Sequence, residues 1–236
     1  MGCTVQKCCG FCCVWTTAVF IVLAMVIPWY SFATTYTINT GSSSTNCATG
    51  TFFFWANVLC RDSAEPICRF NCDVVSPPFS PENGFWGADG FTHVTKTFAA
   101  SFFLLFISML LFLGVALYIS VKSCCSSSKS LPSKQGLLIA GGLLALGTVL
   151  FAICIVVFAA TLPKAIREDV GRTPGDWGPW ETFFGTHHKD LNDQTWAWAA
   201  PGWLVAILAW PFYFGVTLFL LASAFRSHRS GYALVN

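Results

Sequence analysis

Four long apolar runs punctuate the chain, each bounded by polar or turn-forming residues. They cover about residues 11–32 (FCCVWTTAVFIVLAMVIPWYSF), 98–121 (FAASFFLLFISMLLFLGVALYISV), 136–161 (GLLIAGGLLALGTVLFAICIVVFAAT) and 200–225 (APGWLVAILAWPFYFGVTLFLLASAF). A helix needs roughly 20 apolar residues to cross a hydrocarbon core of about 30 Å. Each run is therefore long enough to span a bilayer. None contains Asp, Glu, Lys, Arg or His. Trp29, Tyr30, Trp198 and Trp203 lie near run ends, where amphipathic rings prefer the membrane–water interface. The pattern predicts a short N-terminus (1–10), four spans (11–32, 98–121, 136–161, 200–225), loops at 33–97, 122–135 and 162–199, and a tail (226–236).

The polar intervals have a different rhythm. TTYTINTGSSST is β-branched and then turn-rich, and TGTFFFWANVLC is strand-like in its aromatic content. Short strands separated by Gly, Ser and Pro fit a small antiparallel sheet. SPPFSPENGFWGADGF reads as irregular, since Pro77, Pro78 and Pro81 break regular elements. The 162–199 interval opens with a short helical extension and continues through Trp177, Trp180, Phe183 and Phe184. The predicted fold class is an all-α membrane protein: a four-transmembrane-helix bundle with a small disulfide-braced extracellular β-sheet.

Composition narrows the function. The 236 residues are 55% hydrophobic and 10% charged, with a mean hydropathy of +0.62. Soluble domains carry about 25% charged residues. A soluble enzyme, a disordered regulator and a nucleic-acid binder are excluded on that ground, and a net charge of +2 gives no case for nucleic acid. Lys7, Lys122, Lys129, Lys134, Arg226 and Arg229 fall in the two termini and the 122–135 loop, where no acid occurs. All 11 acids fall in the other two loops. The positive-inside rule places both termini in the cytoplasm and the acidic loops outside or in a lumen; the expected location is an integral membrane protein of the plasma membrane, with an organelle membrane as the alternative. The competing reading is a signal peptide cut at Ser31-Phe32-Ala33, against which the bulky Pro28-Trp29-Tyr30 weighs.

That topology sorts the 12 cysteines. Cys47, Cys60, Cys68 and Cys72 lie in the first outer loop, where an oxidising environment favours disulfides. Four cysteines allow three connectivities. The nested arrangement, Cys60–Cys68 with Cys47–Cys72, ties off a hairpin and is preferred. Cys3, Cys8, Cys9, Cys12, Cys13, Cys124 and Cys125 sit at the cytoplasmic membrane boundary. Nearby lysines make that a setting for S-palmitoylation, the alternative being plain reduced thiols. Met1-Gly2-Cys3 resembles a myristoylation start, but Gln6 stands where Ser or Thr is needed. Zinc is disfavoured because the cluster lacks His.

Other candidate chemistry is thin. His187-His188 with Asp190 and Asp193 reads as a solvated loop, and His93 carries no signal. No Asn-x-Ser/Thr sequon occurs in the outer loops. The spans lack the ionisable groups of pumps and coupled transporters. There is no Walker lysine, no H-E-x-x-H and no G-x-S-x-G, so neither enzymatic activity nor any cofactor or metal is expected. Cys9-Gly10-Phe11-Cys12 has C-x-x-C spacing but no companion acid or base. Gly141, Gly142, Ala145 and Gly147 give the third span a small-residue face for close helix packing, within the bundle or with a partner. Trp177 and Trp180, set among Gly and Pro, are candidate loop contacts.

Trp29 ending the first run, Gly50 and Trp55 after it, and then Cys60 and Cys68 form an ordered series. With the four-run topology, it resembles the claudin superfamily of claudins, peripheral myelin proteins and calcium-channel gamma-type subunits. Four residues separate Trp55 from Cys60 where that family has two, and Cys47 and Cys72 are additional. The resemblance implies a five-stranded outer sheet built mainly from the first loop, with Trp29, Trp55, Cys60 and Cys68 structural. It further implies a non-enzymatic protein acting through lateral association and outer-loop contacts, in adhesion or membrane-domain organisation. Alternatives are an auxiliary subunit of a larger channel, receptor or membrane complex, and an oligomeric pore with Asp62 and Glu65 at its mouth. The expected partners are the lipid bilayer and either the chain itself or a larger multi-span membrane protein.

Overall fold

A computed structural model describes residues 5–40, 42–52, 57–62, 71–76, 92–125, 134–170, 183–190 and 193–232. Side-chain surroundings are described for 12–31, 93–94, 96–122, 135–168, 183–185 and 198–225. The elements in chain order are α1 (Val5–Val26), β1 (Tyr30–Thr40), β2 (Ser42–Phe52), β3 (Asn57–Asp62), β4 (Asn71–Ser76), α2 (Thr92–Cys125), α3 (Lys134–Val170), β5 (Gly185–Asp190), β6 (Asp193–Ala199) and α4 (Pro201–Tyr232).

Among the described residues, three helices are long and apolar enough to cross a membrane: Lys96–Lys122, Gln135–Glu168 and Pro201–Phe225. The chain thus has the make-up of an integral membrane protein. The apolar stretch of α1, Cys12–Val26, is shorter than these. The first run does not stay helical to residue 32. Pro28 has no N–H to donate, and it disfavours helical backbone at the residue before it. The helix stops at Val26, and Ser31 and Phe32 already belong to β1. The third run does the reverse. Its helix passes through Pro163 and continues to Val170, burying Leu162, Ala165 and Ile166.

All six strands form one antiparallel sheet in the order β4-β3-β2-β1-β6-β5. The β-branched TTYTINT stretch forms most of β1, which pairs with β2 from Tyr30↔Phe52 to Thr40↔Ser42. Its other edge takes β6, from Tyr30↔Ala199 to Thr35↔Gln194. Two strands therefore come from the 162–199 interval, so the sheet has six strands rather than five. The sequence TWAW alternates small and large residues, a period-2 signal that only pairing with β1 makes decisive. Because α2 and α3 intervene between β4 and β5, two crossings would return the chain to the same side of the bilayer, as one shared sheet demands.

The chain divides into two compact units. The first contains Met1–Leu23, Phe103–Cys154 and Val205–Asn236. Its helices are tied by buried polar groups. Ser108 Oγ donates to the Gly147 carbonyl at 2.9 Å, and Tyr213 Oη donates to the Ser108 carbonyl at 3.0 Å. Thr148 and Thr217 hydroxyls meet at 3.0 Å, and Trp210 Nε1 donates to the Thr148 carbonyl at 3.1 Å. In hydrocarbon no water would satisfy these groups, so the helices must satisfy one another. Phe112 meets Tyr213 edge-on at 4.7 Å. Small residues permit the approach: a Cβ at Gly147 would fall on the Tyr213 hydroxyl, and one at Gly141 would meet Leu221 Cδ2 at 2.5 Å. Ile139, Leu146, Val149, Leu208 and Phe219 face outward, as lipid-facing residues would.

Gly147→Ala is expected to lower stability by about 1–3 kcal/mol, the usual penalty for overpacking. Tyr213→Phe keeps the ring and loses one hydrogen bond, at a smaller cost of about 0.6 kcal/mol, the average for hydrogen bonds in membrane interiors. Unfolding in mild detergent titrated with a denaturing one measures both. Equal losses from the two changes would mean that close packing at Gly147 does not matter.

Candidate functional site

The second unit contains Ala24–Phe102 and Ile155–Leu204, and with them the whole sheet. An aromatic cluster packs where the helices meet the strands. It starts at the turn that Pro28 imposes after α1. Trp29 is fully buried, and its Nε1 donates to the Ala24 carbonyl. Its ring meets Phe158 edge-on at 5.0 Å, and Phe98 meets the same Phe158 ring at 4.9 Å. Phe183, just before β5, contacts Phe158 at 5.9 Å, Tyr30 at 5.3 Å and Trp203 at 4.9 Å. Trp203 Nε1 reaches the Ile155 carbonyl at 3.4 Å. Edge-to-face pairs add about 0.5–1.5 kcal/mol each to the burial itself.

Gly202 brings α4 against this turn. Its N–H donates to the Pro28 carbonyl at 2.7 Å, and the Ala200 N–H donates to the Trp29 carbonyl at 3.1 Å. A Cβ at 202 would lie 2.6 Å from the carbonyl oxygens of Ile27 and Pro28 and 2.7 Å from the Trp29 ring. Only glycine fits without a shift of backbone. Trp29 is thus buried at the centre of this packing. Neither Gly202 nor the shared role of Phe98 and Phe158 stood out in the sequence, because an aromatic inside an apolar run carries no mark of which face it serves.

Part of the aromatic set is open. Phe184 is 55% exposed and Trp198 41%, and Phe184 packs edge-on to Phe183 at 5.1 Å. Phe184 also lies 6.0 Å from the half-buried Trp203 ring; exposed aromatics of this kind favour the headgroup level of a membrane. Electrostatics are slight. His93 Nε2 lies 3.9 Å from Glu168, which also pairs with Lys164 at 3.7 Å. All three side chains are well exposed, so these pairs contribute little.

The remaining sequence candidates are distributed as follows. Cys47, Cys60 and Cys72 have their backbones in β2, β3 and β4, while Cys68 lies outside the described residues. The register sets Cys60 opposite Cys72 and Cys47 opposite Asp62. Gly50 pairs with Phe32 and Leu59. Trp55, Glu65, Trp177, Trp180 and Cys3 lie outside the described residues. Cys8 and Cys9 belong to α1, and Cys124 and Cys125 end α2. Cys12 and Cys13 are exposed thiols, while Cys154 is buried in α3. Gly141 and Gly147 face neighbouring helices, Ala145 is half-buried, and Gly142 opens outward with nothing near its Cβ position. His187 and His188 are consecutive positions of β5, level with Thr195 and Gln194 of β6. Among the described residues no three His, Cys, Asp or Glu gather as a metal site would require.

Phe158→Ala is expected to cost about 3–5 kcal/mol, since three rings lose their common partner and a cavity remains. Phe184→Ala, at an exposed ring, is expected to cost far less. Thermal unfolding in detergent separates them, and similar losses would refute a core centred on Phe158. Comparison with protein-family models and with curated proteins finds no match to this chain.

Proposed function

We propose that the chain is a non-enzymatic four-span membrane protein that acts by lateral association in the bilayer and by contacts of an extracellular sheet, in adhesion or membrane-domain organisation. The observation that carries this reading is the single sheet assembled from both long loops. It combines segments far apart in sequence into one platform, a costly arrangement unless that surface is used. The aromatic cluster supports the reading by giving the platform a rigid base. The uncharged spans support it by offering no proton or ion relay.

In this reading α1 is the fourth span, and its apolar stretch is completed by the uncharged residues just before Cys12. Both termini are cytoplasmic by charge bias, and the membrane is the plasma membrane. The claudin-like order of Trp29, Gly50, Trp55 and Cys60 agrees with it. The exposed thiols of Cys12 and Cys13, next to the start of the apolar stretch, are the first sites to acylate.

A second reading, an auxiliary subunit of a larger membrane complex, is favoured by one feature. Gly114, Gly142 and Gly215 lie on three different helices, and nothing comes within 4 Å of their Cβ positions. Outward glycines weaken a helix unless a neighbouring backbone approaches.

Gentle extraction into lipid nanodiscs, followed by mass measurement and identification of co-isolated chains, separates the two readings. Homo-oligomers, with cells expressing the chain clustering more than controls, are the expected result. A stoichiometric larger multi-span partner with no clustering would replace the first reading with the second.

A further inference from the structure

Of the cysteine pairs expected from hairpin spacing, Cys47–Cys72 does not suit the register of the sheet. In the β3–β4 ladder Cys60 is the direct register partner of Cys72. Directly opposed residues of an antiparallel pair have Cα atoms about 4.5–5.5 Å apart, inside the 4.4–6.8 Å range that disulfides use. Cys47 lies on β2, separated from β4 by β3. Two strand spacings amount to about 9.5 Å, beyond the reach of a disulfide. Its offset makes the separation larger still: Cys47 is level with Asp62, while Cys60 is level with Thr49. A Cys47–Cys60 pair is diagonal across neighbouring strands, and such positions stand about 7–8 Å apart.

We propose that Cys60 and Cys72 are joined by a disulfide across β3 and β4, in place of the nested Cys60–Cys68 and Cys47–Cys72 pairs. The bond forms by thiol–disulfide exchange with a protein disulfide donor of the secretory compartment. Each thiol loses one proton, and the two electrons reduce the donor's disulfide to a dithiol. The inference rests on the outward orientation of this loop.

The bond has a structural role. β4 is a terminal strand of the sheet, held by β3 alone. An edge strand is the first to fray and the first to pair wrongly with another chain. A covalent link near the start of β4 holds the edge in register, and with it the outline of the surface that meets other molecules.

Peptide mapping tests the pairing directly. Free thiols are alkylated in intact membranes, and the full-length protein is then digested without reduction. Trypsin cuts after Arg61 and Arg69, and chymotrypsin cuts within Phe52–Trp55 and at Phe70, so Cys47, Cys60, Cys68 and Cys72 fall on four separate peptides. The expected product is the Cys60 peptide linked to the Cys72 peptide. A Cys60–Cys68 or Cys47–Cys72 product overturns the proposal, as do four alkylated thiols. A membrane-impermeant maleimide applied to intact, mildly reduced cells then tells which premise failed. Labelling of Cys60 and Cys72 keeps the orientation and rejects only the pairing; absence of label rejects the orientation as well. In Cys72→Ser, Cys60 is expected to become alkylated while the state of Cys47 is unchanged. Newly alkylated Cys47 in that variant would restore the nested pairing.

Discussion

Two backbone hydrogen bonds, from Ala200 to Trp29 and from Gly202 to Pro28, join the start of α4 to the end of α1 at van der Waals limit. Much of the second unit follows from them. They set Tyr30 beside Ala199, the first rung of the β1–β6 ladder, so a strand ahead of α2 and a strand after α3 enter one sheet in a defined register. A one-residue slip would move every side chain of β6 to the other face. Gly202 makes the approach possible and Pro28 ends the helix where the approach is needed.

The aromatic cluster stiffens that junction. Phe158 is shared by Trp29, Phe98 and Phe183, so rings from α2, α3, the α1–β1 turn and the segment before β5 rest on one side chain. Aromatics carry large buried area with few rotamers to lose, which suits a place where several elements must meet at fixed angles. Trp29 and Trp203 also satisfy their indole N–H groups on nearby carbonyls, so neither indole is left stranded. The first unit solves the same problem differently. There Ser, Thr, Tyr and Trp side chains bond to carbonyls and hydroxyls across helices, and Gly147 makes room for Tyr213.

The described residues gather no metal-ligand cluster, and the ion pairs are exposed and weak. The described residues build a sheet with a central long strand and two edges, exposed rings at Phe184 and Trp198, and apolar helices that present outward side chains and three open glycines. Each is suited to association, with lipid, with another copy or with a larger partner.

The sequence alone determined the membrane character, because an uncharged apolar run of this length has no other stable solvent. Strands in the first loop were also legible, since β-branched residues bounded by Gly and Ser favour extended backbone. The helix end at Val26 was written in Pro28, although hydrophobicity alone extends the run to Phe32. The rest belonged to the tertiary structure. Whether Trp29 faces lipid or core depends on what α4 brings against it. TWAW becomes a strand only once β1 offers an edge. Cys60 stands opposite Cys72 because strand register, which spacing along the chain does not reveal, sets which positions of β3 and β4 are neighbours. Such pairings are non-local, and a single sequence marks them only through residues, such as Gly202, whose meaning depends on a neighbour 174 positions away.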